Sequence, residues 1–383
     1  MKRILFDDEH QAYRESVRAF LDKEVVPRYA EWDRAGIVPR ELFTGLGALG
    51  AFGIAVPERF GGAGVADFRY NVVLQEEAAR LGVSPAILGP ALHADVCMPY
   101  FLDLTTEEQK ARWLPGIAAG ELVTAVAMTE PGTGSDLAGI RTKAVRDGDH
   151  YVIDGAKTFI TNGVNADLVV VAVRTGEHPH RGLSLIVVER GAPGFERGRK
   201  LEKVGLHAQD TAELVFTGAR VPVANLIGRE GEGFFGLTRN LPQERISVAV
   251  SGLAQATAAF EWTVAYVRER KAFGKPIGAQ QVVKHRLAEI ATEIEIAQHY
   301  LDRCVLALGD GELTVVDAAK AKWWCTELQG RVVDACVQLH GGYGYMLEYP
   351  IARAWQDSRV TRIYAGTTEI MKEIIGRSLD LGQ

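Results

Sequence analysis

A carboxylate acts as a base when it lies within hydrogen-bond reach of the proton it removes, and the charge that then develops needs donors already aimed at it. Two segments of this chain offer such parts: Leu241-Pro242-Gln243-Glu244-Arg245 and Ile363-Tyr364-Ala365-Gly366-Thr367-Thr368-Glu369-Ile370. On residue types alone, Glu244 reads as a first-turn helix glutamate beside Pro242, stabilised by the helix dipole. A third segment, Ala127-Met128-Thr129-Glu130-Pro131-Gly132-Thr133-Gly134-Ser135-Asp136, is rich in turn residues. Glycine lets backbone N–H groups approach a ligand, and such amides suit a phosphate or a flavin carbonyl. Alone the loop reads as an ordinary turn, and it has neither Rossmann nor Walker spacing. In Gly155-Ala156-Lys157-Thr158-Phe159-Ile160-Thr161-Asn162-Gly163, Phe159 reads as core and Thr161 as a strand threonine. Arg268 to Lys275 places cations at a helix C-terminus, with Gly274 as a C′ residue.

The elements that must position these residues fall into three regions, expected at 1–120, 121–227 and 228–383. Apolar spacing predicts helices over 7–26, 40–49, 68–81 and 106–117. Pro27 stops the first, Thr105 or Thr106 caps the last, and Gly89-Pro90 breaks a segment between. From about 121 the texture becomes short valine- and isoleucine-rich runs, with strand candidates at 151–153, 168–173, 183–188 and 212–216. Asp147-Gly148-Asp149 reads as a hairpin turn after a strand at 142–146. Long helices follow at 245–271, 280–308 and 314–340, joined by short glycine-containing turns, as in an antiparallel bundle. The fold class is therefore α+β: a helical domain, a β-barrel or sandwich domain, and a C-terminal antiparallel four-helix bundle.

Composition narrows the function. The chain has 383 residues, 47% of them hydrophobic, enough for a sizeable core. A net charge of -6 argues against a general nucleic-acid binder. The four cysteines, Cys97, Cys304, Cys325 and Cys336, form no CxxC pair and suggest neither a disulfide framework nor a zinc site. The N-terminal residues turn acidic before a signal-peptide core can form, and no apolar run approaches the ~20 residues that span a bilayer. A cytoplasmic protein without stable membrane insertion is expected.

In order and over essentially the whole chain, these segments resemble the acyl-CoA dehydrogenase family, nearest in motif to its long-chain and isovaleryl branches. The resemblance implies FAD as cofactor and α,β-dehydrogenation of an acyl thioester to its trans-2-enoyl form. Most of the family carries its catalytic glutamate in the C-terminal segment, where this chain has Ala365; the long-chain pattern instead makes Glu244 the base. By the same resemblance, Met128, Thr129, Gly134 and Ser135 hold the flavin, with Thr129 at its pyrimidine edge and Ser135 toward pyrophosphate and substrate. Phe159 packs near the isoalloxazine, Thr161 hydrogen-bonds near flavin N5, and Ile160 between them binds the cofactor as well. Arg270, Phe273 and Gln281 reach the FAD of a neighbouring subunit, and Gln338, Leu339, Gly341 and Gly342 close over its adenosine end. Thr367 and Glu369 touch FAD as well. Phe235, Arg245, Ala365, Gly366 and Ser135 contact substrate, the Ala365 N–H polarising the thioester oxygen. His340 reads as structural.

A homotetramer and an electron-transferring flavoprotein as electron acceptor are implied. The alternatives are a dehydrogenase of acyl groups on a carrier protein, an oxidase that passes electrons to O2, and a non-catalytic flavin- or acyl-binding protein.

Overall fold

A computed structural model describes residues 3–381. Its first part is helical: α1 (Asp8–Phe20), α2 (Tyr29–Ala35), α3 (Arg40–Ala48), α4 (Arg69–Arg80), α5 (Ser84–Ala91), α6 (Met98–Asp103) and α7 (Glu107–Ala118). Thr106 caps α7 by accepting the Gln109 N–H at 3.2 Å. Pro27 does not leave the helical path: a π turn and a 3-10 turn carry the chain from α1 into α2. Nor does Gly89-Pro90 break α5, which runs through both residues. The glycine there serves close approach. A Cβ on Gly89 would lie 2.4 Å from the side-chain oxygens of Asn162 and Gln209, and Asn162 Nδ2 donates to the Gly89 carbonyl at 3.0 Å.

The middle of the chain forms β1 (Thr124–Ala127), β2 (Lys143–Asp147), β3 (His150–Thr161), β4 (Leu168–Arg174), β5 (Leu183–Glu189), β6 (Phe195–Lys200), β7 (Thr211–Pro222) and β8 (Leu226–Ile227). They run in the order β6-β7-β3-β2-β4-β5-β8, with β1 beside β4. The join between β2 and β4 is one register pair, Lys143 with Arg174, so the sheet divides into two halves. Ile153, Leu214 and Phe216 from one half meet Val171 and Ile186 from the other in a shared core. Alternate residues of β4, Leu168, Val170 and Ala172, instead pack on the N-terminal helices. Burial on both faces explains why β4 and β5 read as unbroken apolar runs rather than alternating ones.

The C-terminal part is built from α8 (Gly233–Glu269), α9 (Gln281–Gly309) and α10 (Val315–His340), with α11 (Pro350–Ser358) and α12 (Thr368–Arg377) packed against α10. Their core takes in Phe68 and Val72 from the N-terminal helices. Here α8 departs from expectation, for it starts at Gly233 and passes through Pro242. An interior proline costs about 3 kcal/mol, and packing of α8 against α4, α9 and α10 outweighs it. At its other end, α8 stops at Arg270 in an extended conformation, so Gly274 is not its C′ residue. Phe273 and Gly274, at φ of 52° and 80°, instead turn a hairpin between β9 (Lys271–Ala272) and β10 (Lys275–Pro276). Among the described residues no helix is long and apolar enough to cross a membrane.

Candidate active site

Where the three regions meet lies a cavity of about 280 Å³. The loop after β1 brings Met128, Thr129, Gly134 and Ser135 to it, and the end of β3 brings Phe159, Ile160 and Thr161. From α8 come Glu244 and Arg245, and from the turn before α12 come Ala365 and Gly366. Ala91 lines it with Leu88 and Leu92, whereas Gly89 does not.

Glu244 lies roughly three turns inside α8, not in its first turn, so the helix dipole does not favour its charge. It is 5% exposed. Burial pushes its carboxyl up to about 7, against the opposing pull of a hydrogen bond from Tyr100 and the charge of Arg245. Tyr100, on α6 and fully buried, donates its hydroxyl to Glu244 Oε1 at 2.9 Å. Burial and then the Glu244 charge raise the phenol well above its ordinary value, so it remains a donor. Nothing in Cys97-Met98-Pro99-Tyr100 marked this residue, because its partner is 144 positions away.

Asp95 was also missed. It accepts from Asn71 Nδ2 at 2.5 Å, Gln75 Nε2 at 2.6 Å and Ser247 Oγ at 2.5 Å. Burial raises its carboxyl to about 6. These bonds tie α4, α8 and the π turn after α5 into one wall of the cavity, which Gln75 and Ser247 line.

The loop after β1 is pinned from beneath. Lys157 Nζ, wholly inaccessible, donates to the Met128 carbonyl at 3.0 Å and to Glu130 Oε1 at 2.8 Å. Glu130 also accepts the N–H groups of Arg141 and Thr142, each at 2.8 Å. Burial alone would raise the Glu130 carboxyl, but these hydrogen bonds, led by that of Lys157, hold it below the ordinary range. Above this anchor, the N–H groups of Gly134 and Ser135 meet no acceptor among the described residues.

Phe159 is not core. A register shift of β3 against β7 between Lys157 and Ile160 leaves it at φ 60° and 68% exposed, standing into the cavity. A bulky residue held in the left-handed region at a cavity wall is strain of the kind found at ligand sites.

The remaining predicted residues lie elsewhere. Arg270, Gln338, Leu339, Gly341 and Gly342 line a second cavity of about 540 Å³ at the end of the helical bundle. Phe273, 95% exposed, tips the nearby hairpin, and Gln281 is exposed at the start of α9. His340 is stacked on Tyr266 at 4.3 Å and its Nδ1 meets the Cys336 carbonyl at 2.8 Å, a structural setting. Thr367 caps α12 by accepting the Ile370 N–H at 3.3 Å, and Glu369 is exposed on its first turn. Phe235 is not brought to the first cavity. It precedes Glu244 by nine residues, about 900° of helical rotation, which turns it to the opposite face of α8.

Comparison with known proteins accords with this arrangement. The acyl-CoA dehydrogenase N-terminal domain matches residues 7–121, the middle domain 125–219 and the C-terminal domain 231–379. The long-chain specific acyl-CoA dehydrogenase of Sus scrofa mitochondria is 46% identical over 380 residues, 98% of this chain and 88% of that protein. An acyl-CoA dehydrogenase from Geobacillus kaustophilus superposes with a TM-score of 0.96 at 51% identity, over 98% of this chain and 99% of its own. A glutaryl-CoA dehydrogenase from Mycobacterium smegmatis, solved in complex with FADH2, superposes with a TM-score of 0.89 at 28% identity, over 98% and 95%. With all three domains matched in order and the fold shared over nearly the whole chain, the chain belongs to the acyl-CoA dehydrogenase family.

Proposed function

We propose that this protein converts an acyl-CoA to its trans-2-enoyl-CoA with Glu244 as the base. The observation that carries the assignment is that Glu244 is the one carboxylate among the described residues lining the cavity, which the Ala365–Gly366 turn also lines. An α-proton beside a thioester is weakly acidic, so its removal needs a base of raised pKa and a donor at the carbonyl oxygen. Glu244 takes the proton, and the Ala365 N–H, which meets no acceptor among the described residues, polarises the oxygen. Tyr100 holds the carboxylate in place through the 2.9 Å hydrogen bond, and the small side chain of Ala365 leaves room for it to approach the substrate.

The residues present fit FAD. The free Gly134 and Ser135 amides supply donors for flavin or pyrophosphate oxygens, and the exposed ring of Phe159 offers an aromatic face. Bound there, FAD supplies the acceptor for the β-hydrogen as hydride. The exposed set Arg270, Phe273 and Gln281 serves the FAD of a second subunit, in keeping with a homotetramer. Electrons then pass to an electron-transferring flavoprotein.

The test is an anaerobic titration of the purified yellow protein with saturated acyl-CoAs of increasing length. Bleaching of the oxidised flavin band is expected, and the length that bleaches best reports the depth of the pocket. A yellow protein that no acyl-CoA bleaches would remove this function.

A pH prediction arises here. The catalytic form of Glu244 is the ionised one, so kcat/KM rises with pH through about 7. Tyr100→Phe deletes the hydrogen bond that lowers this pKa, and the acidic limb is expected to move to higher pH. An acidic limb at the same pH in both proteins would refute the assigned role of Tyr100.

A further inference from the structure

Lys322, on α10, is one of two lysines among the described residues whose side chain is fully inaccessible, the other being Lys157. Lys157 has a carboxylate partner at 2.8 Å; Lys322 forms no ion pair among the described residues. The one hydrogen bond of its ammonium among the described residues is from Nζ to the carbonyl oxygen of Gly366, at 2.6 Å. Burying an ammonium with no carboxylate in direct contact is expensive. Burial is the first cause that lowers its pKa to about 8, and the positive charge of Arg245 lowers it further, against the opposing pull of the Glu327 and Glu369 charges. Arg245 is itself 4% exposed, with Nε unpaired. Two cations therefore sit close together by the turn before α12. A neutral donor would hold one carbonyl at lower cost, so fold stability alone does not account for the lysine.

The turn itself needs holding. Ala365 and Gly366 are both left-handed, at φ of 52° and 93°. Any side chain on Gly366 would bring a Cβ within 2.6 Å of Met371 Cε. The next residue, Thr367, is fixed as the cap of α12. The Gly366 carbonyl thus has one support on each side: the helix start and Lys322.

We infer that Lys322 is a positioning residue for the proposed reaction: by gripping the Gly366 carbonyl it fixes the Ala365–Gly366 backbone so that the Ala365 N–H points at the thioester oxygen. The inference rests on the acyl-CoA reading above. No bond to the substrate is made or broken by Lys322. It sets the direction of the donor, and its charge favours the negative oxygen that forms as Glu244 takes the proton.

The experiment is Lys322→Met, which keeps the length of the side chain and removes the donor. A trans-2-enoyl-CoA labelled with 13C at the thioester carbonyl is bound to the oxidised protein, and its carbonyl band is read by difference infrared spectroscopy. In the wild type the band is expected below its solution frequency. In Lys322→Met it returns toward the solution value, and kcat falls about 10- to 100-fold, while KM moves less. A fall in kcat with the band unmoved would make Lys322 a structural support only and overturn the inference, as would an unchanged kcat.

Should Lys322→Met fail to fold, Lys322→Gln, which keeps a shorter donor, gives the same reading, with an intermediate shift expected and no shift overturning the inference. A wild type that is bleached by acyl-CoA yet leaves the band at its solution frequency overturns the role of Lys322 alone. A wild type that does neither overturns the proposed function.

Discussion

Glu244→Gln is expected to lower the rate of flavin bleaching by acyl-CoA roughly 10²- to 10⁴-fold, the range that a positioned general base contributes, while flavin content stays at the wild-type level. Glutamine keeps the size of the side chain, and its carbonyl oxygen still accepts from Tyr100, so the wall of the cavity is preserved. Only basicity is lost. The substitution also carries a stability signature with a definite sign. Burial raises the Glu244 carboxyl to about 7 from its ordinary value near 4.5, so the folded protein binds a proton that the unfolded chain has already released. Between those two pH values wild-type stability therefore falls as pH rises, and the loss is complete above about 7. Glutamine does not ionise, so the urea midpoint of Glu244→Gln should gain on that of the wild type between pH 5.5 and pH 8.5. Undiminished bleaching would remove Glu244 from catalysis. A midpoint difference that does not change with pH would show that its ionisation carries no folding cost.

The two slopes run against each other: the pH that ionises the base is the pH that costs the fold. That opposition comes from the site's position deep in α8, and the sequence did not disclose it. Leu241-Pro242-Gln243-Glu244-Arg245 identified the residue, but Pro242 suggested a helix start and hence a favourable dipole. The packing of α8 against three other helices, which lets it run through proline, is not written locally. Much else was legible because its signal is local. The hairpin at Gly148-Asp149, the cap at Thr106 and the apolar strands β4 and β5 follow from neighbouring residues. Phe159 could be read either as core or as a cavity wall, because a register shift against β7 turns the ring outward and only the pairing reveals it. Tyr100, Asp95 and Lys322 carried no motif at all. Their roles come from contacts with residues 144, 152 and 44 positions away.

Lys157→Met is expected to destabilise the protein by about 3 kcal/mol, the lower end of the range for breaking a buried ion pair, and to release flavin. The lower end applies because Glu130 would keep the N–H groups of Arg141 and Thr142, so its charge would not be left wholly uncompensated. The same ammonium also grips the Met128 carbonyl, at the root of the loop that presents Gly134 and Ser135 to the cavity. Loss of the lysine therefore loosens the donors proposed for FAD as well as the fold. A double-mutant cycle with Glu130→Gln separates the two effects. If the damage comes from the stranded carboxylate, Lys157→Met/Glu130→Gln recovers most of the lost stability, since neither member is then charged. Flavin retention should not recover with it, because the grip on Met128 remains missing. Urea unfolding midpoints and the ratio of flavin to protein absorbance after gel filtration measure the two quantities on the same samples. Parallel recovery of both would refute a separate role for the Met128 contact, and a Lys157→Met protein as stable and as yellow as the wild type would refute the anchor altogether.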